Sequence, residues 1–188
     1  MSTTNLLAIS GSLRARSINT EVLRAAALVA APSAHITLFS GLAGLPHFNP
    51  DLDAVGVVPP AAVQALRSQV AAADGVLICS PEYAHGVPGS LKNALDWLVS
   101  GPEIVYKPMA LLNASPRSTH AQASLAETLR TMSTVLVADA SIDLPLSGRR
   151  LDATDIAADP TLAELLRSTM KALNGAVAHY RQLRAALP

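Results

Sequence analysis

The segment CSPEYAHGVPGSLKNALDWL, residues 79–98, decides the fold class. It follows the continuous apolar run GVLIC at residues 75–79, which is typical of a strand buried on both faces of a parallel sheet. After it, leucine and alanine recur at three- and four-residue spacing from Leu91 to Leu98, which predicts a helix with one apolar face. The stretch between them, residues 81–89, is therefore predicted to lie at the carboxyl end of a buried strand, where ligands bind in open α/β sheets.

The same alternation of strand and helix recurs along the chain. Strands are predicted at residues 6–10, 35–39, 75–79, 109–113 and 135–137. Helices are predicted around residues 22–27, at 61–73, at 91–98, from about 120 to 132, and at 160–186. Residues 143–159 are predicted to be irregular. The residues of the last helix that are expected to face inward are Leu162, Leu165, Leu166, Leu173, Val177 and Leu183.

This element order predicts one α/β domain over residues 1–188, with a five-stranded parallel sheet between two helix layers, a three-layer sandwich. We expect the strand order 2-1-3-4-5, because the polar loops after strands one, three and four then converge at one switch point of the sheet. The core must be aliphatic, since half of the residues are hydrophobic and only 3% are aromatic.

Composition limits the partners and the compartment. The 14 basic and 14 acidic residues give a formal net charge of zero, so no nucleic acid or anionic membrane partner is expected. Cys79 is the single cysteine, which excludes an internal disulfide, and at the end of a buried strand it is expected to be inert. No signal sequence and no run of about 20 apolar residues is present, so a soluble cytoplasmic protein is expected.

The loop after the first strand reads GSLRARSIN, residues 11–19, and opens a helix. Backbone N–H groups and the helix dipole at such a position favour an anion. The loop lacks the lysine of a nucleotide-triphosphate loop and the G-x-G-x-x-G of a dinucleotide fold, so a monophosphate is the expected anion. A simpler interpretation is that Ser17 only caps the helix and that Arg14 and Arg16 are only solvated.

Two motifs together resemble the NADPH-dependent FMN reductase family. They are GSLRxxSxN at residues 11–19 and PEY through PGxLKNAxDWL at residues 81–98. The resemblance implies a flavodoxin-like fold, bound FMN, and hydride transfer from NADPH or NADH through FMN to a small acceptor. Acceptors of the family include quinones, azo compounds, chromate and free flavin.

Carried over residue by residue, the resemblance assigns the FMN phosphate to the first motif and the flavin ring to the second, with one contact from the loop after strand four. The implied FMN-binding residues are Ser12, Arg14, Ser17, Ile18, Asn19, Pro81, Glu82, Tyr83, His85, Gly86, Val87 and Ser115. No catalytic residue is assigned, because the flavin carries the chemistry. Candidates for the 2′-phosphate of NADPH are Arg14, Arg16 and Arg117.

The sequence departs from the family at two places. The family often has asparagine directly after Pro-Glu-Tyr, where this chain has Ala84. The loop after strand four is commonly glycine-rich in relatives, whereas here residues 115–120 read SPRSTH. His120 in this loop either contacts a substrate or only begins a helix. The five histidines show no metal-ligand spacing, so no metal site is expected.

Two other functions remain open at this point. The chain is alternatively a flavodoxin-like electron carrier, or an FMN-binding regulatory module without efficient NAD(P)H turnover. The balanced charge argues against the carrier, because such proteins usually have a strongly acidic face. Relatives are often oligomers, so a homodimer or homotetramer is expected, and the long loop at residues 40–60 is either a subunit contact or a lid.

Overall fold

The computed structural model describes residues 3–185 as an alternating series of strands and helices. The strands are β1 (Thr4–Ser10), β2 (Ala34–Leu38), β3 (Gly75–Cys79), β4 (Pro108–Asn113), β5 (Val135–Leu136) and β6 (Ile142–Asp143). The helices are α1 (Ile18–Ala30), α2 (Ala61–Ala72), α3 (Gly89–Asp96), α4 (Thr119–Thr131), α5 (Ala153–Ala158) and α6 (Pro160–Ala185). The predicted end of the last helix, Ala186, lies outside the described residues.

The sheet has the predicted order, β2-β1-β3-β4-β5, with every pairing parallel. In the centre, Ile9 of β1 lies opposite Ile78 of β3, and Ile78 lies opposite Leu111 of β4. All five residues of β3 are buried, as its continuous apolar sequence predicts. The sheet therefore reverses its direction of winding between β1 and β3, and their carboxyl ends diverge into different loops at this point.

The fifth strand position is divided into two short pieces. Both β5 and β6 pair with β4, with Val135 opposite Pro108 and Ile142 opposite Leu112. Between these two pairs, the eight residues 135–142 lie beside the five residues 108–112, and the extra residues form a short 3-10 turn at Ala138–Ala140. The Ser141 Oγ accepts a hydrogen bond from Leu111 N at 3.1 Å, which satisfies a backbone donor that the divided strand leaves unpaired.

The core is divided between the two faces of the sheet. Leu6 and Ala8 of β1 pack with α1, α5 and α6, whereas Leu7 and Ile9 pack with α2, α3 and α4. This follows from the alternation of side chains along a strand. The result is the predicted three-layer sandwich. No helix in the described part of the chain is long and apolar enough to cross a membrane.

Two predictions for the C-terminal third are wrong. Residues 143–159 are not wholly irregular, since they hold the end of β6 and the helix α5, which begins with a capping box between Asp152 and Asp155. Ile156 gives this six-residue helix its buried contact. Leu183 does not face inward, since its side chain is 54% exposed. Among the described residues of α6, Val177 is the last one that is buried.

The first half of the long loop at residues 40–60 is held on α3. The carbonyl oxygen of Pro46 accepts hydrogen bonds from Asn93 Nδ2 at 2.9 Å and from Trp97 Nε1 at 2.8 Å. The Asn93 Oδ1 accepts a hydrogen bond from Phe48 N at 2.7 Å, and the Phe48 ring packs edge-on against Trp97 at 5.1 Å. These contacts favour a fixed surface over a lid. They also give Asn93 and Trp97 of the second motif a supporting role.

Candidate functional site

A cleft of about 260 Å³ lies at the carboxyl edge of the sheet, where the loops after β1, β3 and β4 meet. Its lining residues are Ser12, Arg14, Ser17, Ile18, Asn19, Ser80, Pro81, Glu82, Tyr83, Ala114, Ser115 and Ser118. A larger groove of about 420 Å³ lies along the start of α6 and is lined by that helix alone, from Pro160 to Ser168. Only the cleft combines several loops with a switch point, so it is the candidate site.

Hydroxyl groups hold the loop after β1 in shape. Ser10 Oγ accepts hydrogen bonds from Thr20 Oγ1 at 2.8 Å and from Ser12 N at 3.4 Å. Ser12 Oγ in turn accepts one from Arg14 N at 3.3 Å. The loop therefore returns over the first turn of α1, and its own side chains fix the position of its backbone.

Ser17 occupies the N-cap position of α1 but makes no side-chain capping hydrogen bond. It is only 3% exposed, and Asn19 is only 6% exposed. The structure thus contradicts the interpretation that Ser17 serves only as a cap. Because the first N–H groups of a helix have no partner within the helix, the Ser17 hydroxyl and these donors are both available to a ligand in the cleft.

A hydrogen bond from the thiol of Cys79 orients the side chain of Asn19. The Cys79 Sγ donates to Asn19 Oδ1 at 3.3 Å, and complete burial raises the pKa of this thiol far above its usual range. The thiol therefore stays protonated, which agrees with the expectation that it is inert. With Oδ1 occupied in this way, Nδ2 of Asn19 is the donor that faces the cleft.

Gly11 allows the loops after β1 and β3 to come close together. Its N–H donates to Cys79 O at 2.9 Å. A Cβ at this position would lie 2.8 Å from Ser80 Cβ and 3.1 Å from Leu91 Cδ2. Only glycine fits this contact without movement of its neighbours, which explains the first residue of the GSLR motif.

The loop after β3 forms a tight two-residue hairpin. Tyr83 N donates to Gly86 O at 3.1 Å, and Gly86 N donates to Tyr83 O at 2.9 Å. Between them Ala84 and His85 have positive φ values of 49° and 60°, the conformation of a type I′ turn. Asn-Gly is the preferred sequence for this turn, so the asparagine that relatives often have at position 84 suits the backbone better than alanine does.

Two contacts connect this hairpin to the first turn of α4. The Glu82 Oε2 accepts a hydrogen bond from Ala121 N at 2.8 Å, which caps the helix from another loop. The rings of His85 and His120 lie 4.2 Å apart between centroids. Glu82 thus lines the cleft while its carboxylate is bonded to the start of α4. This role as a helix cap was not visible in the sequence.

Asn113, at the end of β4, fixes the third loop of the cleft. It is 4% exposed, and its Oδ1 accepts a hydrogen bond from Ser115 N at 3.1 Å. Its Nδ2 donates to Asp143 Oδ1 at 2.7 Å. The Ser115 Oγ lies 3.0 Å from Ser147 Oγ, so a fourth loop borders the site through Ser147.

The cleft brings together most of the residues that the sequence nominated. His85, Gly86 and Val87 are not among the lining residues, because the turn directs His85 toward His120 and Val87 toward the core. The lining residues that the sequence analysis missed are Ser80, Ala114 and Ser118. Ser80 and Ala114 directly follow β3 and β4, and this position at a strand end is the signal that would have found them.

The donor set fits the phosphate of FMN. Buried hydroxyl and amide donors, an uncapped helix start and Arg14 converge at one end of the cleft, and Arg14 makes no ion pair within residues 3–185. Such a set suits a monophosphate. The other end is open, with Tyr83 52% exposed, which suits a flat ring system with one accessible side.

A family model described as NADPH-dependent FMN reductase matches residues 4–143. The chain belongs to the NADPH-dependent FMN reductase family. This chain is 34% identical over 173 residues to the NAD(P)H-dependent FMN reductase of Pseudomonas aeruginosa, a match that covers 89% of this chain and 92% of the relative. It is 37% identical over 112 residues to the quinone reductase of Escherichia coli, which covers 58% of this chain and 59% of the relative.

Solved structures agree with this membership. The flavoenzyme NAD(P)H:acceptor oxidoreductase FerB from Paracoccus denitrificans superposes with a TM-score of 0.76 at 27% identity, covering 94% of this chain and 98% of that one. The protein is thus an oxidoreductase that uses FMN and NAD(P)H, and the fold and function implied by the two motifs are confirmed.

Proposed function

We propose that this protein transfers two electrons from NADPH or NADH to a small quinone-type acceptor, with FMN held in the carboxyl-edge cleft. Relatives support the acceptor class: besides the quinone reductase of Escherichia coli, a 2-hydroxy-1,4-benzoquinone reductase from a Burkholderia species is 43% identical over 89 residues. When bound, FMN supplies the hydride chemistry, accepting a hydride from the nicotinamide nucleotide and passing its electrons to the acceptor.

The phosphate end of the proposed FMN site is the loop after β1. Ser12, Ser17 and Asn19 supply buried side-chain donors, the backbone N–H of Ile18 begins the helix, and Arg14 supplies charge. The observation that carries the proposal is Ser17, which is buried at a helix N-cap without bonding to its own helix. A buried hydroxyl at a helix start is a ready hydrogen-bond donor to a phosphate.

The ring end of the proposed site is formed by the loops after β3 and β4. Pro81, Glu82 and Tyr83 form one wall and Ser115 the other. The Glu82 and Asn113 hydrogen bonds hold these two walls at fixed separation. The turn at residues 84–86 ends the first wall, so we assign His85, Gly86 and Val87 to the rim rather than to direct side-chain contact.

Exposed arginines on the loops around the cleft argue against the electron-carrier alternative. Arg14, Arg16 and Arg117 are exposed, and none of them makes an ion pair in the described part of the chain. A carrier that docks to proteins through an acidic face would have the opposite charge at this edge. The positive edge suits anionic nucleotides.

We also infer a cytoplasmic location and assembly into a homodimer or homotetramer. The second half of the long loop supports assembly, because Leu52, Val55, Val57 and Val58 are all exposed. Arg67 holds this loop in place through Asp53 at 2.9 Å. An anchored apolar surface of this kind is typical of an interface. Sedimentation velocity tests the assembly, and a monomer at micromolar concentration would contradict it.

Steady-state kinetics with NADPH and 1,4-benzoquinone test the proposed reaction. Because one open side of the cleft serves both substrates, we expect alternate binding, which gives parallel lines in double-reciprocal plots. Azo dyes, chromate and free FMN are compared as acceptors. Absence of NADPH and NADH oxidation with any acceptor, by protein that retains FMN, would contradict the proposal and favour a carrier or regulatory module.

A further inference from the structure

A fourth loop, residues 144–151, borders the cleft and lies outside the part of the chain that the family model matches, which ends at residue 143. It follows β6 directly. Leu144 N donates to Asn113 O at 2.7 Å, and Ser147 Oγ lies 3.0 Å from Ser115 Oγ, a cleft residue. The loop is therefore in contact with the wall of the cleft that is formed by the loop after β4.

Both ends of the 144–151 loop are anchored. Leu144 and Leu146 are buried at 0% and 1% exposure. Just beyond the other end, Ala153 N donates to Glu21 Oε2 in the first turn of α1 at 3.1 Å. The exposed residues 147–150 thus run from the exit of β4 toward the start of α1, and both of these elements border the cleft.

Two arginines on this side of the cleft make no ion pair with the nearby carboxylates. Those of Glu82, Asp143 and Asp152 instead accept hydrogen bonds from backbone or amide N–H groups. Arg117 and Arg150 are exposed, and neither makes an ion pair within residues 3–185. Arg117 lies two positions after Ser115, and Arg150 lies three positions after Ser147. The hydroxyls of these two serines are in contact.

We propose that Arg150, together with Arg117, binds the 2′-phosphate of NADPH, so that the 144–151 loop determines a preference for NADPH over NADH. Guanidinium groups bind phosphate dianions through paired hydrogen bonds. Arg14 belongs to the phosphate end of the cleft with Ser12 and Ser17, and the proposed function uses it for FMN. The inference rests on that function, because it assumes that the nucleotide enters at the open end of the cleft.

Arg149 provides a matched control beside Arg150. It has the same charge and is also exposed, but its Nη2 lies 3.5 Å from Asp159 Oδ2, so its guanidinium is directed toward the start of α6. Arg149→Gln and Arg150→Gln remove the same charge from neighbouring positions. If the arginines act only through the overall electrostatic field, both variants should lose the same affinity for a ligand that carries the 2′-phosphate. If Arg150 contacts the phosphate directly, Arg150→Gln should lose affinity and Arg149→Gln should not.

The test is calorimetric binding of adenosine 2′,5′-bisphosphate and of 5′-AMP to the FMN-loaded protein. We expect the wild type to bind the bisphosphate more tightly. Arg150→Gln and Arg117→Gln should each weaken bisphosphate binding by about 10- to 100-fold, the range for a charge-assisted hydrogen bond, without affecting 5′-AMP. Arg149→Gln should stay within about 3-fold of the wild type. Equal FMN affinity in all variants shows that the fold is intact.

In the calorimetric test, the inference is overturned by equal affinity of the wild type for both nucleotides, or by equal losses of bisphosphate affinity in Arg149→Gln and Arg150→Gln. Failure of the proposed function has a different signature. If the wild type oxidises NADH and NADPH equally well with 1,4-benzoquinone, only the assignment of Arg117 and Arg150 fails. If it oxidises neither nucleotide, the proposed reaction itself fails.

Discussion

Replacement of Ser17 by alanine separates a ligand-binding role from a capping role. An N-cap serine that bonds to its own helix contributes about 0.5–2 kcal/mol to stability. Ser17 makes no such bond, although it is 3% exposed. We therefore expect Ser17→Ala to change the free energy of unfolding of the FMN-free protein by less than about 0.5 kcal/mol.

The same change should weaken FMN binding markedly. A hydrogen bond from the Ser17 hydroxyl to a charged phosphate is worth about 1.5–3 kcal/mol, which corresponds to a rise in the FMN dissociation constant of about 10- to 100-fold. Riboflavin lacks the phosphate, so its affinity should change less than about 3-fold. Fluorescence titration of both flavins, with urea unfolding of the flavin-free protein, measures all three quantities.

Ser68→Ala is the matched control, because Ser68 is exposed on α2 on the opposite face of the sheet from α1. It should change neither flavin affinity nor stability. The reasoning is refuted if Ser17→Ala lowers stability by 1 kcal/mol or more while FMN binding stays as in the wild type. That outcome would make Ser17 a helix cap and would move the phosphate elsewhere.

Four further substitutions, at three positions, test how individual residues contribute to the stability of the fold. Ala84→Asn suits the positive φ at this position and should raise the unfolding free energy by about 0.5–1 kcal/mol and the Tm by about 2 °C, whereas Ala84→Val should lower both in a thermal melt. Thr169→Val removes a fully buried hydroxyl that has no partner within residues 3–185, so chemical unfolding should show a gain of about 1 kcal/mol, and a loss would imply a missed partner. Burial raises the pKa of Asp74, but hydrogen bonds from Arg181 and Asn5 N and the charges of Arg181 and Lys107 lower it below its usual value overall. The Asp74 carboxylate therefore contributes stability above about pH 4, and this contribution is lost as the pH falls through the lowered pKa. Asp74→Asn should cost about 1 kcal/mol at pH 7 and progressively less as the pH falls below about 4, and a cost that does not change with pH would contradict this.

The sheet was predictable because its strands are short apolar runs with clear ends. The β3 run begins at Gly75 and ends shortly before Pro81, and the observed strand is the predicted one. The fifth strand was less predictable, because its division depends on the Ser141 hydrogen bond to Leu111 N, a contact between distant residues. Helix α5 escaped prediction since six residues with one buried side chain, Ile156, show no helical periodicity.

The site was predictable where backbone geometry follows from residue type. The hydroxyl-rich loop after β1 indicated anion binding, and the structure places this loop at the cleft. The positions of His85 and Val87 depend on a type I′ turn that contains no glycine or asparagine at its two central residues, so no turn signal was present. The cap that Glu82 provides to α4 joins residues 39 positions apart and leaves no local pattern.

The most direct test of the central claim is an anaerobic visible spectrum of the protein with FMN, recorded before and after addition of NADPH. The account predicts that binding perturbs the flavin band and that NADPH then bleaches it rapidly. Bound FMN that is bleached by neither NADPH nor NADH would contradict the reductase assignment. A flavin band that the protein does not perturb, with no FMN retained after gel filtration, would contradict the cleft itself.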